Sequence, residues 1–418
     1  MRRRNVLAAS AALAATPLLM PDTAQAHRGR RRVRTGFERL ADDGFAALAG
    51  QRVGVIANPT SVTADLRHEV DVMVESGAVD LVAVFGPEHG FRGTSQAGEG
   101  EDYFIDPKTE LPVYNAYNDM AKMADYFAEL DLDTIVFDIQ DVGSRFYTYI
   151  WTMYLAMEAA AENDMAFMVL DRPNPVTGKA AEGPVLHEEF SSFVGLKSIS
   201  QRHGMTVGEL ARLFNGEFLP ESIGKRVDLS VMELDKWKRR DDFASTGLPW
   251  VAPSPNMPTT TTAALYPGTC LFEASALSEG RGTTQPFQLI GAPDIDHRWE
   301  VALNAQELPG VRFREAYFKP TFSKWFDQTC GGVEIQITDV ERFDPIRTAL
   351  AMIITQRGEF PEYGWRFEEE VPWIDKLTGS SQVRESIEAG DDVDTVMAGW
   401  RSELADFRKT RKEYLLYR

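Results

Sequence analysis

The sequence predicts an α/β fold built on a mostly parallel sheet, and three observations carry that prediction. Apolar, β-rich runs of strand length lie at 52–57, 81–85, 134–137 and 166–170. Stretches with helical spacing separate them. Each run gives way at its carboxyl end to an unusually polar segment. Strands that alternate with helices form βαβ units, which require parallel pairing. In such sheets the ligand lies beyond the carboxyl ends of the strands.

The elements follow in order. Arg52-Val-Gly-Val-Ile-Ala57 is the first strand and ends in Asn58-Pro59. Residues 64–77 read as a helix closed by Gly77, and 81–85 as the next strand. A helix around 120–130 precedes strand 134–137. Residues 149–163 have helical spacing, with Trp151, Tyr154, Leu155 and Met157 toward a core, and strand 166–170 comes next. Thr206 and Glu209 form a capping box for helix 206–214, so Glu209 is read as a cap. Residues 227–232 read as a strand. Segment 250–258 holds too many prolines for a helix or central strand and reads as a rigid loop suited to walling a pocket. Thr259 to Thr262 cap a further helix, and a domain boundary is expected near Tyr266-Pro-Gly268. Beyond it, 333–337 alternates as a half-buried strand does, 344–356 reads as a helix, and the tail 394–417 is amphipathic.

The first 26 residues read as an export signal. Arg2-Arg3-Arg4 is basic, an Ala-rich apolar stretch follows, and Ala24-Gln-Ala26 offers a cleavage site. Arg3-Arg4-Asn-Val-Leu7 also fits a twin-arginine signal. No later segment reaches the roughly 20 apolar residues of a spanning helix, so no stable membrane insertion is expected and the mature chain is placed in the periplasm or outside the cell. Removal of 26 of 418 residues leaves 392, about two domains. The whole chain carries −19, which argues against a nucleic acid partner. The basic run at 27–35 reads as a flexible, solvated N-terminus. Cys270 and Cys330 are the two cysteines, and their spacing leaves a disulfide open. No Cys/His spacing suggests a metal, and no cofactor is expected.

The polar segments carry the chemistry. Gly86-Pro-Glu-His-Gly-Phe-Arg-Gly93 presents Glu88 between glycines, where the backbone turns tightly and a substrate can approach. Glu88 is a candidate general acid, with His89 and Arg92 as ligands. Asp138-Ile-Gln-Asp-Val-Gly-Ser-Arg-Phe-Tyr-Thr-Tyr149 supplies Asp138 and Asp141 as further carboxylates, and Gln140, Arg145, Tyr147 and Tyr149 as ligands. The phenols can stack on a sugar face or donate a proton; their bland role is core packing. Asp171-Arg-Pro-Asn-Pro175 adds Arg172 and Asn174, the end of the first strand adds Asn58, and the proline loop adds Asn256. Ser278-Glu-Gly-Arg-Gly-Thr-Thr284 offers Glu279 and Arg281 but lacks the Gly-Lys-Ser/Thr ending of a P-loop. No Gly-x-Ser-x-Gly elbow is present.

Together with Asn58-Pro-Thr-Ser61, Glu182-Gly-Pro184, Phe193-Val-Gly195, His203-Gly-Met-Thr206 and Pro253-Ser-Pro-Asn256, these segments resemble, in order, the NamZ-type exo-β-N-acetylmuramidases, long catalogued as a bacterial domain of unknown function. The resemblance runs from about Gly36 to the C-terminus. It implies a Rossmann-like catalytic domain over 36–265, a smaller C-terminal α/β (α+β) domain over 266–418, and a cleft between them. It also implies release of N-acetylmuramic acid from the non-reducing end of peptidoglycan fragments in cell-wall turnover, with muramic-acid glycans or muropeptides as partners. Glu88 would then protonate the leaving oxygen, and Asp138, Asp141 or Glu279 would be base or nucleophile, unless the acetamido group itself attacks. Arg92, Arg145 or Arg281 would bind the lactyl carboxylate. Two other readings are a periplasmic muropeptide-binding protein without catalysis, and a metal-dependent hydrolase using Glu88, His89, Asp138 and Asp141.

Overall fold

A central seven-stranded sheet organises the first part of the chain. Its strands are β1 (Arg52–Ala57), β2 (Asp80–Gly86), β3 (Phe104–Ile105), β4 (Pro112–Asn115), β5 (Thr134–Asp138), β6 (Ala166–Leu170) and, after a small antiparallel hairpin of β7 (Glu182–Val185) and β8 (Ser200–Arg202), β9 (Asp228–Met232). The order is β3-β4-β2-β1-β5-β6-β9, parallel throughout except for β3. The computed structural model describes residues 32–96 and 98–418. The expected signal peptide and most of the basic run lie outside the described residues. Val33 and Arg34, expected to be solvated, are instead tied down: Val33 N–H donates to Thr246 O at 3.0 Å and Arg34 bridges Asp235.

The parallel arrangement follows from burial of both faces. Val53, Val55, Ala57, Val136, Met168 and Leu170 pack on one side with Phe37, Leu40, Val70 and Met73 of the helices Gly36–Asp42 and Glu69–Ser76. Ile56, Ile135, Phe137, Phe167 and Val169 alternate to the other side, under the helices Met123–Glu129, Tyr149–Glu162 and Val207–Leu213. An antiparallel ladder could leave one face wet; this one cannot. Both arms of the Thr206/Glu209 capping box form.

The second core continues without a break into the C-terminal part. There β10 (Leu289–Ala292), β12 (Cys330–Ile337) and β11 (Val311–Phe318) form an antiparallel sheet in that order. Helices His297–Asn304 and Pro345–Glu359 pack beside it, and a two-stranded ribbon of β13 (Phe367–Glu368) and β14 (Val371–Pro372) follows. Helix Thr260–Thr269 runs straight through the boundary expected at Tyr266-Pro-Gly268, with Pro267 inside its last turn. Cys270 and Cys330 are buried free thiols.

The end of the chain returns to the first sheet. Tyr417 Oη donates to Asp171 at the end of β6 and accepts from Leu234 N–H at 2.8 Å, while Leu416 N–H donates to Glu209 at 2.8 Å. Burial pushes the Asp171 carboxyl up to about 7, against the hydrogen bonds from Tyr417, Gly208 and Thr206 that favour its charge. A carboxyl raised on folding gives stability that is full below its unfolded value of 3.8 and fades as pH rises through 7. Between pH 5 and 8 this group should cost roughly 2–3 kcal/mol. Urea unfolding of Asp171→Asn should therefore show a stability drop over that interval smaller by about that amount; an unchanged drop would contradict the assignment.

Candidate active site

The segment after β2 turns back on itself and lifts Glu88 out of the sheet. His89 and Gly90 both have positive φ (71° and 81°), and Gly90 N–H closes the turn onto Pro87 O at 2.9 Å. A Cβ on Gly90 would lie 2.1 Å from the Glu101 side chain, whose carboxylate accepts Phe91 N–H, so the site demands glycine. Both Glu88 oxygens are held: Oε1 accepts Gly98 N–H at 2.7 Å and Oε2 accepts the Thr148 hydroxyl at 2.5 Å. Thr148 belongs to the segment after β5, so the carboxylate latches two strand-end loops together. Beside it, burial and then the Glu88 charge push the Tyr117 phenol up to about 12, which keeps it a hydrogen-bond donor at neutral pH.

Glu88 faces a cleft of about 580 Å³. His89, Tyr147 and Tyr149 line it from the sheet side, and Ser254, Asn256 and Met257 come from the proline loop, which does wall the pocket. The Tyr149 hydroxyl donates to Pro253 O and so braces that loop. The Asn256 amide nitrogen is buried without an acceptor among the described residues. The C-terminal part supplies Glu273, Glu279, Arg281, Lys324, Arg366 and Trp373. Glu279 sits between Arg281 Nε at 3.1 Å and Lys324 Nζ at 3.0 Å, and Arg281 also pairs with Glu273 at 2.5 Å. Gly280 and Gly282 have φ near +80°, and a Cβ on either would meet backbone at 2.6 Å, which lets the Glu279–Arg281 turn pack tightly.

Of the residues singled out in the sequence, Glu88, His89, Tyr147, Tyr149, Asn256, Glu279 and Arg281 share this cleft. The others lie elsewhere, each for a visible reason. Asp138 is fully buried and paired with Arg172, whose Nη2 lies 2.8 Å from Oδ2. Glu69, also fully buried, stands next to it, and burial followed by the Asp138 charge raises its carboxyl well above the usual range. Asp141 accepts Gly143 N–H at 2.6 Å and the His203 Nε2–H at 3.1 Å. The Asn58 side chain accepts from Thr60 N–H and hydroxyl. Gln140 donates to Asp141 O and Pro173 O, and with Arg172 lines a separate cavity of about 20 Å³, room for a water and not a sugar. Asn174 bonds Met205 O and Val176 N–H. Arg92 pairs with Asp106 at 2.7 Å and Asp71 at 3.1 Å. Arg145 is wholly buried and donates to the carbonyls of Pro184, Ile199 and Leu377, fastening the two parts of the chain together. Among the described residues no three of His, Cys, Asp and Glu gather as a metal would require.

The strand order explains this division. The sheet reverses direction of growth between β1 and β5, where a doubly wound fold opens a crevice. Here the chain plugs that crevice itself: the Ser61 hydroxyl donates to Asp138 O, and Thr60 accepts Gln140 N–H at 2.9 Å. The open cleft is displaced to the far side of Glu88, beneath the C-terminal part.

A family model for the N-terminal region of the exo-β-N-acetylmuramidase NamZ matches residues 53–261, and the model for its C-terminal region matches 264–417. The chain belongs to the NamZ family. It is 46% identical over 399 residues to the peptidoglycan β-N-acetylmuramidase NamZ of Bacillus subtilis strain 168, covering 95% of this chain and 94% of that one. Two crystal structures of DUF1343 family proteins from Bacteroides fragilis share the fold. One has a TM-score of 0.84 at 35% identity and covers 93% of this chain and all of its own. The other has a TM-score of 0.73 at 31% identity over 93% and 99%. Within this NamZ fold, Thr148, Tyr117, Glu273, Lys324, Arg366 and Trp373 line the cleft and were not singled out in the sequence. Thr148 sits inside a segment that was; the others carry no local signal.

Proposed function

We propose that this protein is an exo-acting glycosidase that releases N-acetylmuramic acid from the non-reducing end of peptidoglycan fragments, with Glu88 as the general acid. The observation that carries the residue assignment is the Glu88 carboxylate, lifted from the strand end, fixed at both oxygens and facing a cleft of sugar size. The kinship with the Bacillus subtilis enzyme supports the reaction. Glu88 gives its proton to the glycosidic oxygen as the C1–O bond breaks. Water then delivers hydroxyl to C1, so that overall water adds across that bond. Glu279, the other predicted carboxylate in the cleft, is the second carboxylate of the pair, held in place by Arg281 and Lys324. The phenols of Tyr117 and Tyr149, both kept neutral by burial and the Glu88 charge, stand beside Glu88 as donors. The basic, apolar N-terminus supports export, which puts the enzyme where cell-wall fragments are.

The test is a disaccharide carrying N-acetylmuramic acid at its non-reducing end, followed by NMR. Free N-acetylmuramic acid should accumulate, and the same linkage capped by a further N-acetylglucosamine should stay intact. The first anomer formed identifies retention or inversion. Cleavage of the capped glycan at equal rate would reject the exo assignment.

A further inference from the structure

The cations of the cleft are not equivalent. Arg281 is used by Glu273 and Glu279. Lys324 is used by Glu279 and by the carbonyls of Phe272 and Leu277 at 2.8 and 2.9 Å. The remaining carboxylate of that wall, Glu368, is taken by Lys376 at 2.6 Å. Arg366 is left, among the described residues, with no carboxylate of the protein to answer it. Its backbone is nonetheless fixed. Arg366 N–H donates to Ala274 O at 2.7 Å, and its own carbonyl accepts Trp373 N–H at 2.9 Å. The guanidinium lies 5.3 Å from the centre of the Trp373 ring, within cation–π range. Trp373 is itself buried, lines the cleft, and its indole N–H finds no acceptor among the described residues.

An unanswered guanidinium next to an unanswered indole N–H asks for an anion with two acceptor oxygens. In a chain of net charge −19, such a ligand is drawn in by local cations and not by the global field. We propose that Arg366, seated on Trp373, receives the lactyl carboxylate of the muramoyl ring and is the residue that separates N-acetylmuramic acid from N-acetylglucosamine. The inference rests on the proposed glycosidase reading and names the part of the substrate that the site selects. The two sugars differ only in the lactyl ether, so a contact to that carboxylate discriminates directly. The arginines considered from the sequence cannot serve: Arg92 and Arg145 are outside the cleft, and Arg281 is committed to two carboxylates.

The experiment compares wild type, Arg366→Gln and Arg366→Lys. Turnover is measured on chromogenic β-glycosides of N-acetylmuramic acid and N-acetylglucosamine, and binding of the two free sugars by calorimetry. Arg366 is exposed, so its replacement leaves the fold intact. For Arg366→Gln, kcat/KM on the muramide should fall by about 10²-fold, mostly through KM, as expected for loss of a charge-assisted forked contact. Values for the glucosamine sugar should stay within about twofold, and Arg366→Lys should recover part of the loss. Equal losses on both sugars, or a muramic acid preference that survives Arg366→Gln, would overturn the proposal. Arginine-dependent binding of free N-acetylmuramic acid by a wild type that hydrolyses no muramide would instead refute the glycosidase reading and leave this assignment standing.

Discussion

Glu88→Gln is expected to lower kcat on a muramic-acid-terminated disaccharide by about 10³-fold, within the range set by loss of a general acid. Binding of N-acetylmuramic acid should persist. The fold should also persist, because the half-buried amide keeps an acceptor for Gly98 N–H, and the Thr148 hydroxyl can turn to accept. The leaving group supplies the decisive control. A nitrophenolate departs without protonation, so the variant should be far less impaired on a nitrophenyl muramide than on the disaccharide. Equal impairment on both would show that Glu88 acts in some other way, and near-normal turnover of the disaccharide would remove it from the reaction.

Arg172→Ala is expected to act on stability and not on chemistry. Removing one partner of a buried ion pair leaves the other charge uncompensated, at about 3–5 kcal/mol. The damage should be worse because Glu69 stands beside Asp138 and Arg172 is the cation that answers both. Urea unfolding at pH 7 should reveal that loss. The folded fraction should turn over disaccharide at close to the wild-type rate. A variant of normal stability with a collapsed kcat would return Asp138 and Arg172 to the reaction.

Most of the fold is legible in the sequence because its signals are local. Apolar runs such as 134–137 are long enough for a strand and apolar on both faces, which makes the sheet parallel. Helix starts are less legible: the expected helix at 64 begins at Glu69, since Val62 pairs with His68 and Thr63 N–H with Arg67 O to close a loop first. The site divides along a physical line. Glu88 is legible because its glycines say that the chain turns there. Asp138 looks the same in sequence whether it faces a ligand or a partner, and its partner Arg172 arrives 34 residues later. Arg366 and Trp373 sit in no polar strand-end segment and enter the cleft only through tertiary packing of the C-terminal part.

The return of Tyr417 to Asp171 ties the order of synthesis to the order of folding. A ribosome delivers the parallel sheet first, yet some of the donors to Asp171 and Glu209 lie 246 and 207 residues further along the chain. A nascent chain halted before the helix Arg401–Lys412 would hold Asp171 by Thr206 and Gly208, and Glu209 by Thr206 and Arg239, but would lack the donors of Tyr417 and Leu416. The first-made layer thus waits for the segment at 416–417 before it closes fully.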